Sequence, residues 1–344
     1  MPILENINKF KSKNAIITET NEIIDYKTLI AFSDKISKKI KSRQLVFLIC
    51  GNNVESIVGY VSFLKTNCVI ALLDERQSFN HLNMLINIYK PNSIFIKKNI
   101  IPSEEYELIL SFKNFNLLQR KNILKFNLND RLSLLVSTSG STGSSKQVRI
   151  SHENIKENTK SIVKYLNISE KDTCITTLPM SYVYGLSLIN THIYSGGTLV
   201  LNDRSVIEKK FWISLQKNKV SNFAGVPYIY QMLDKINFYK NDLKHIKYLT
   251  QAGGKLDTKL NKKILANFCN KKKDFYVMYG ATEATARMSF LPPKFSNKKI
   301  GSIGIPIPGG EFWIENEKKK IIKKNNRSGE LVYSGKNVCL GYAN

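Results

Sequence analysis

"RLSLLVSTSGSTGSSKQVRISH" runs from Arg131 to His152. Its first seven residues are apolar enough for a buried strand. Ser137 through Ser145 then place seven Ser or Thr and two Gly in nine residues, and Lys146 ends that run. "QVRI", Gln147 to Ile150, predicts a second short strand. Ser151 is placed to cap a helix that carries Ile155, Ile162, Val163 and Leu166 along one side. The order is strand, small-residue loop, strand, capped helix. Such a loop can be a mobile Ser/Gly linker, or it can be a phosphate cradle. A cradle needs backbone N–H groups free to converge, hydroxyl donors and a nearby cation. Gly140 and Gly143 supply the first, Thr138, Ser139, Ser141 and Thr142 the second, and Lys146 the third. It is not a Walker A loop, because two serines separate Gly143 from the lysine and a strand follows instead of a helix.

On either side of this stretch, helices and strands alternate. Asp25 precedes a helix with Leu29, Phe32, Ile36 and Ile40 on one face. "QLVFLIC" (Gln44 to Cys50), "CVIALL" (Cys68 to Leu73) and "SIFI" (Ser93 to Ile96) are non-alternating apolar strands, separated by the helical "VESIVGYVSFLK" and "FNHLNMLINIY". Such strands predict a parallel sheet covered on both faces. A second alternating series runs from Asp172 to Leu291. It includes strands "TCITTL", "TLVL", "VSNFAGV", "IKYLTQAGG" and "DFYVMYG", and a helix from Leu186. After Pro292 and Pro293, Gly, Pro and Asn turn signals separate short alternating segments. The expected fold is therefore α/β: two doubly wound lobes of mostly parallel sheet flanked by helices, plus a small C-terminal antiparallel β unit. The expected boundaries are 1–170 for the first lobe with the loop, 171–293 for the second and 294–344 for the β unit.

The chain has 344 residues, 42% hydrophobic and 23% charged, enough for a large core. No apolar run approaches the ~20 residues of a membrane-spanning helix, and the N-terminus lacks the apolar stretch and cleavage site of a signal peptide. Five scattered cysteines, none in a C-x-x-C pair, predict free thiols in a cytoplasmic protein. The net charge of +25 comes mostly from dispersed lysine, with only eight arginines. That pattern predicts a solvated surface and no nucleic-acid partner, since base and phosphate recognition favours Arg. The four histidines show no metal-ligand spacing.

About 140 residues after the loop comes "YGATEA", Tyr279 to Ala284, at the end of the strand "DFYVM". Ligands of open α/β sheets bind at the carboxyl ends of strands. There Glu283 can ligate Mg²⁺ beside a polyphosphate, Thr282 can donate to a phosphate and Tyr279 offers an aromatic face. Taken alone, the same residues also read as a turn in which Thr282 caps a helix and Glu283 favours its dipole.

The two stretches together resemble the adenylate-forming superfamily of acyl-CoA synthetases, luciferase-like ligases and peptide-synthetase adenylation domains. That family carries (S/T)-S-G-(S/T)-T-G-x-P-K followed by Y-G-x-T-E. "QAGGKL" (Gln251 to Leu256), "GSIGIPIPG" (Gly301 to Gly309) and "GELVYSGKNVCLGY" (Gly329 to Tyr342) resemble further family motifs in the family's order. The resemblance implies ATP phosphates on Thr138, Ser139, Gly140, Ser141, Thr142, Gly143 and Lys146, with Thr282 at the α-phosphate and Glu283 on Mg²⁺. Lys146, Thr282 and Glu283 are the expected catalytic residues. Gly253, Gly254, Tyr279 and Gly280 would border the adenine. The implied reaction joins a small carboxylic acid to AMP with release of pyrophosphate, and then passes the acyl group to a thiol of CoA or of a phosphopantetheine-bearing acyl carrier protein.

Two residues depart from the family pattern. Ser145 stands where the loop proline is expected and predicts a less rigid loop. In "PMSYVYG", Pro179 to Gly185, Tyr182 stands where the family often has His. Tyr182, Gly185, Val226, Pro227 and Met288 are the expected acid pocket. No Asp in that stretch offers a partner for a substrate ammonium, so an acid without an α-amino group is expected. The competing expectations are an amino-acid-activating domain and a non-catalytic ATP-binding fragment. The family's T-G-D and its C-terminal domain would lie beyond Asn344. The chain is therefore expected to be the large N-terminal domain or a truncated fragment, binding MgATP weakly and turning over slowly by itself.

Overall fold

The computed structural model describes residues 2–100, 102–138, 146–269 and 273–343. In chain order the first half comprises β1 (Asn14–Ile17), β2 (Ile23–Asp25), α1 (Tyr26–Ser37), β3 (Leu45–Cys50), α2 (Val54–Lys65), β4 (Val69–Asp74), α3 (Phe79–Tyr89), β5 (Ser93–Lys97), β6 (Tyr106–Phe112), β7 (Phe115–Arg120), β8 (Leu132–Ser137), β9 (Gln147–Ser151) and α4 (His152–Leu166). The second half comprises β10 (Thr173–Ile175), α5 (Val183–Ser195), β11 (Thr198–Val200), α6 (Lys209–Lys217), β12 (Asn222–Gly225), α7 (Pro227–Lys235), β13 (Tyr248–Gln251), α8 (Thr258–Asn267), β14 (Asp274–Tyr279), β15 (Ser289–Phe290), β16 (Ile305–Pro306), β17 (Gly310–Glu315), β18 (Glu330–Gly335) and β19 (Tyr342–Ala343).

Two large sheets result. One runs β19-β9-β8-β4-β3-β5-β7-β6, the other β16-β15-β14-β13-β12-β10-β11-β1-β2. Each has a parallel centre and antiparallel edges. Both faces of the first sheet are apolar, as the unbroken strand runs require. Val46, Leu48 and Cys50 of β3 face the core between the sheets, while Leu45, Phe47 and Ile49 face α3. In the second sheet Tyr248 of β13 and Tyr276 of β14 face the central core, and Leu249 and Phe275 face α6, α7 and α8. Helices α1, α2, α4 and α5 fill the space between the sheets. There Tyr60 of α2 donates to Asn190 of α5 at 2.9 Å.

The caps read from sequence form. The Asp25 carboxylate accepts from the Thr28 N–H at 2.7 Å. Ser151 and Asn154 close a reciprocal capping box on α4. The segment "TCITTL" is shorter as a strand than expected, and α5 begins at Val183, not Leu186.

Strand pairing crosses the boundaries expected from sequence. Residues 14–25 lie in the second sheet: Ile16 pairs with Leu199 and Ile17 with Val200. A three-residue apolar run such as "AII" is stable as a strand only with a neighbour covering its backbone, and β11 supplies one. At the other end, β16 extends the second sheet through β15, and β19 pairs with β9 of the first. Only β17 and β18 remain as a separate antiparallel pair among the described residues. No helix among the described residues is long and apolar enough to cross a membrane.

Asp172 ties together the amino ends of β10, β12 and β13. Its carboxylate accepts from Lys247 Nζ (2.7 Å), the Ser169 N–H (2.9 Å) and Ser221 Oγ (3.1 Å). Burial alone would raise its pKa, but the hydrogen bonds from Lys247 and Ser169 outweigh it and hold the carboxyl below its ordinary value. A depressed carboxylate stabilises the fold above its unfolded pKa and loses that contribution as pH falls through the folded one. Asp172→Asn is therefore expected to cost about 3 kcal/mol at pH 7. In urea titrations the difference should shrink progressively as the pH falls below about 4.

Candidate active site

A cleft of about 730 Å³ opens at the carboxyl ends of the strands. Three segments that follow strands line it: Thr138 after β8, Gln251 to Leu256 after β13, and Tyr279 to Glu283 after β14. Tyr182, Val183 and Tyr184 enter from the start of α5, and Lys146 and Tyr342 from the adjoining strands β9 and β19. The cleft thus gathers Thr138, Lys146, Tyr182, Gly253, Gly254, Tyr279, Gly280, Thr282 and Glu283 of the expected site.

Ser139 to Ser145 lie outside the described residues, and with them the expectations on Ser139, Gly140, Ser141, Thr142, Gly143 and Ser145. The ends of that stretch are held together. The Thr138 N–H donates to the Lys146 carbonyl at 3.0 Å, the Lys146 N–H donates to Thr138 Oγ1 at 3.3 Å, and β8 pairs with β9 through Ser137 and Gln147.

The turn that carries Glu283 is built on close backbone approach. A Cβ on Gly280 would sit 1.7 Å from the Ala286 carbonyl oxygen, so the chain folds back on itself only because residue 280 has no side chain. The fold-back places Thr285 (φ 57°) and Ala286 (φ 108°) in the left-handed half of backbone space, a strain found where surrounding contacts over-determine the backbone. Those contacts are present. Asn337 Nδ2 donates to the Ala284 and Arg287 carbonyls (2.8 and 3.1 Å), Asn158 Nδ2 donates to the Arg287 carbonyl (2.9 Å), and Thr285 Oγ1 donates to the Asn337 carbonyl (2.8 Å). Residues 282–284 form a single 3₁₀ turn whose capping position is Ala281, with no side-chain cap. The helix-capping alternative for Thr282 is thereby excluded.

Gly253 has φ +81°, and a Cβ there would meet the Tyr182 hydroxyl at 2.8 Å and Val226 at 3.0 Å. Val226 and Pro227 pack against the Gly253–Gly254 turn and are not among the residues lining the cleft. Gly185 does not line it either: a Cβ there would lie 2.2 Å from the Pro179 carbonyl, so it serves close packing at the start of α5. Met288 is half-buried and likewise outside the lining. Val277, Met278 and Ala286 line that wall instead.

Two residues without an expected role stand at the site. Tyr342 donates its hydroxyl to Glu283 Oε1 at 2.7 Å, and Lys146 Nζ lies 5.1 Å from the centre of its ring. Lys146, Tyr342 and Glu283 thus form one chain of contacts. Tyr342 ends a motif visible in sequence, but its partner is set by the pairing of β19 with β9. The other is Arg287, buried beneath the cleft wall among Tyr165, Tyr184, Ser187 and Met278. Its signal in sequence is slight, a lone Arg in an otherwise apolar run.

The donor set suits a nucleotide with its divalent ion. Mg²⁺ takes one or two carboxylates and fills its remaining positions with phosphate oxygens and water. Among the described residues no cluster of three or more acidic, His or Cys side chains could hold a metal unaided, and Glu283 is the only carboxylate lining the cleft.

Comparison with known proteins agrees. The D-alanine–D-alanyl carrier protein ligase of Staphylococcus epidermidis is 22% identical over 99% of this chain and 69% of its own length. The oxalate–CoA ligase of Arabidopsis thaliana is 23% identical over 99% of this chain and 72% of its own. The o-succinylbenzoate CoA synthetase of Bacillus subtilis, solved with ATP and magnesium, superposes with a TM-score of 0.79 at 19% identity, covering 99% of this chain and 72% of that one. The sequence pattern of the AMP-binding enzymes matches residues 4–343, and the chain belongs to that family.

Proposed function

We propose that this chain activates a carboxylic acid with ATP and prepares it for transfer to a thiol. The observation that carries this reading is the meeting, in one cleft, of the Thr138–Lys146 loop ends with the Tyr279–Glu283 turn, which come from different sheets. In the reaction an oxygen of the acid's carboxylate forms a bond to the α-phosphorus of ATP. The bond from that phosphorus to the pyrophosphate oxygen breaks, and an acyl-adenylate remains. A thiol of CoA, or of a carrier-protein pantetheine, then forms a bond to the acyl carbon as AMP departs with the electron pair and the thiol proton is lost.

Most of the work is positioning and charge stabilisation. Lys146 would offset charge on the departing pyrophosphate, and the Thr138 and Thr282 hydroxyls would orient phosphate oxygens. Glu283 would hold Mg²⁺, which when bound offsets phosphate charge. Gly253, Gly254, Tyr279 and Gly280 would receive the adenine, and Tyr182 would stand between the acid and the cleft mouth. Among the described residues lining the α5 end of the cleft none is a carboxylate that could meet an ammonium, which supports an acid without an α-amino group. The free state of all five thiols supports a reducing compartment such as the cytoplasm.

Assayed in the full-length protein, acid-dependent exchange of pyrophosphate into ATP should fall by about 10²–10³-fold in Lys146→Ala and in Glu283→Ala. Exchange at wild-type rates in both variants overturns the reading. A second expectation concerns Tyr342, whose hydroxyl occupies a Glu283 oxygen that the nucleotide's metal would need. Removing a hydrogen bond to a charged group is worth about 1 kcal/mol at a half-exposed site, so Tyr342→Phe should tighten MgATP roughly fivefold. Calorimetry should show no change for ATP without the metal.

A further inference from the structure

Arg287 is a buried cation with no anionic partner among the described residues. Its side chain is 1% exposed. Nη1 donates to the Tyr165 hydroxyl (3.0 Å) and to the Met278 sulfur (3.3 Å), Nη2 donates to Ser187 Oγ (3.1 Å), and the guanidinium lies 5.0 Å from the centre of the Tyr184 ring. Every one of these partners is neutral, and a thioether sulfur is a weak acceptor. Nε is buried with no partner, and one N–H of Nη2 is left over. Nearby His192 is no counter-ion; burial, with the Arg287 charge adding to it, lowers its pKa to about 4.

Arginine does not lose its proton in proteins, and a buried unpaired charge costs several kcal/mol. The position of this one bears on the site. Met278 and Tyr184, both in contact with the guanidinium, line the cleft, as does Ala286 beside it in the chain. Arg287 also follows Glu283 by four residues on the pinned turn. Nε and Nη2 form one edge of the planar guanidinium fork, an edge that can take a carboxylate through two parallel hydrogen bonds; Nε there has no partner and Nη2 donates to Ser187 Oγ alone. Met278, which meets the guanidinium at Nη1 and also lines the cleft, is unbranched, the apolar side chain best able to change shape.

We infer that the acid activated here carries a second carboxylate, which passes Met278 to pair with Arg287: the substrate class is a dicarboxylic acid. This rests on the acid-activation reading above and deepens it. The same charge repels an ammonium, so it also works against an amino-acid substrate.

The test is a pyrophosphate-release screen of aliphatic diacids of three to six carbons, each against the monoacid of equal chain length. The wild-type protein should favour the best diacid over its monoacid by at least about 100-fold in kcat/KM, the scale of one buried charged pair. In Arg287→Met, of similar length and without charge, that ratio should fall at least tenfold, while Arg287→Lys should retain part of it. Release with monoacids at equal or higher efficiency leaves the activation reading standing and overturns this one. A binding measurement covers the case in which no acid is turned over. Millimolar diacid with MgATP should raise the Tm of the wild-type protein and the matched monoacid should not. Equal shifts, or no shift with any diacid, overturn the inference without recourse to a variant that must fold.

Discussion

The carbonyl oxygen of Ala286 occupies the space that a side chain on residue 280 would fill, and the cleft depends on that contact. With no Cβ at Gly280, β14 can turn back sharply enough to pair antiparallel with β15, Tyr279 against Ser289. The reversal forces Thr285 and Ala286 into backbone conformations that L residues rarely adopt, and Asn158 and Asn337 hold them there. One turn thereby presents Thr282 and Glu283 to the cleft and sends Arg287 beneath its wall. These three side chains fall within six residues, yet they face different surroundings because the chain reverses between them.

Asn337 belongs to the segment after β18, and Asn158 to α4, the helix between the two sheets. The turn is therefore clamped by parts of the chain that lie far apart in sequence. The same holds for the opposite wall. Lys146 leads into β9, which pairs with β8 on one side and with β19 on the other. Tyr342 of β19 reaches from there to Glu283 on the second sheet. The site is a seam between two sheets, and their polar contacts across it set where Glu283 and Lys146 stand. At the far ends of the same strands, Asp172 gathers β10, β12 and β13 through Lys247, Ser169 and Ser221, so the second sheet is tied at its amino edge and open for ligand at its carboxyl edge.

Most of the central strands and helices were legible in the chain, because their patterns are local. "LVFLIC" and "VIALLD" are unbroken apolar runs that need cover on both faces, and Asp25 and Ser151 stand where helices must begin. Short motifs named in advance several residues that the structure gathers around one cleft: Thr138, Lys146, Gly253, Gly254, Tyr279, Gly280, Thr282 and Glu283. Val226, Pro227, Gly185 and Met288 are near the cleft without lining it, since nothing in a linear pattern tells a residue that faces a cavity from one that stands beside it. Strands β1, β2, β6 and β7 escaped notice because they lie at a sheet edge or one strand in from it, where a run is not apolar on both faces.

The sequence by itself determined the class of fold, the order of its central elements and the residue types able to hold a polyphosphate, since each follows from periodicity, capping chemistry and motif spacing along the chain. Only the tertiary structure decided that residues 14–25 close the second sheet and not the first, that Tyr342 meets Glu283, and that Arg287 is buried with neutral partners alone. Those facts concern which groups meet and which are left without a partner, and a side chain's surroundings are settled by pairing between distant segments, which the order of residues does not express.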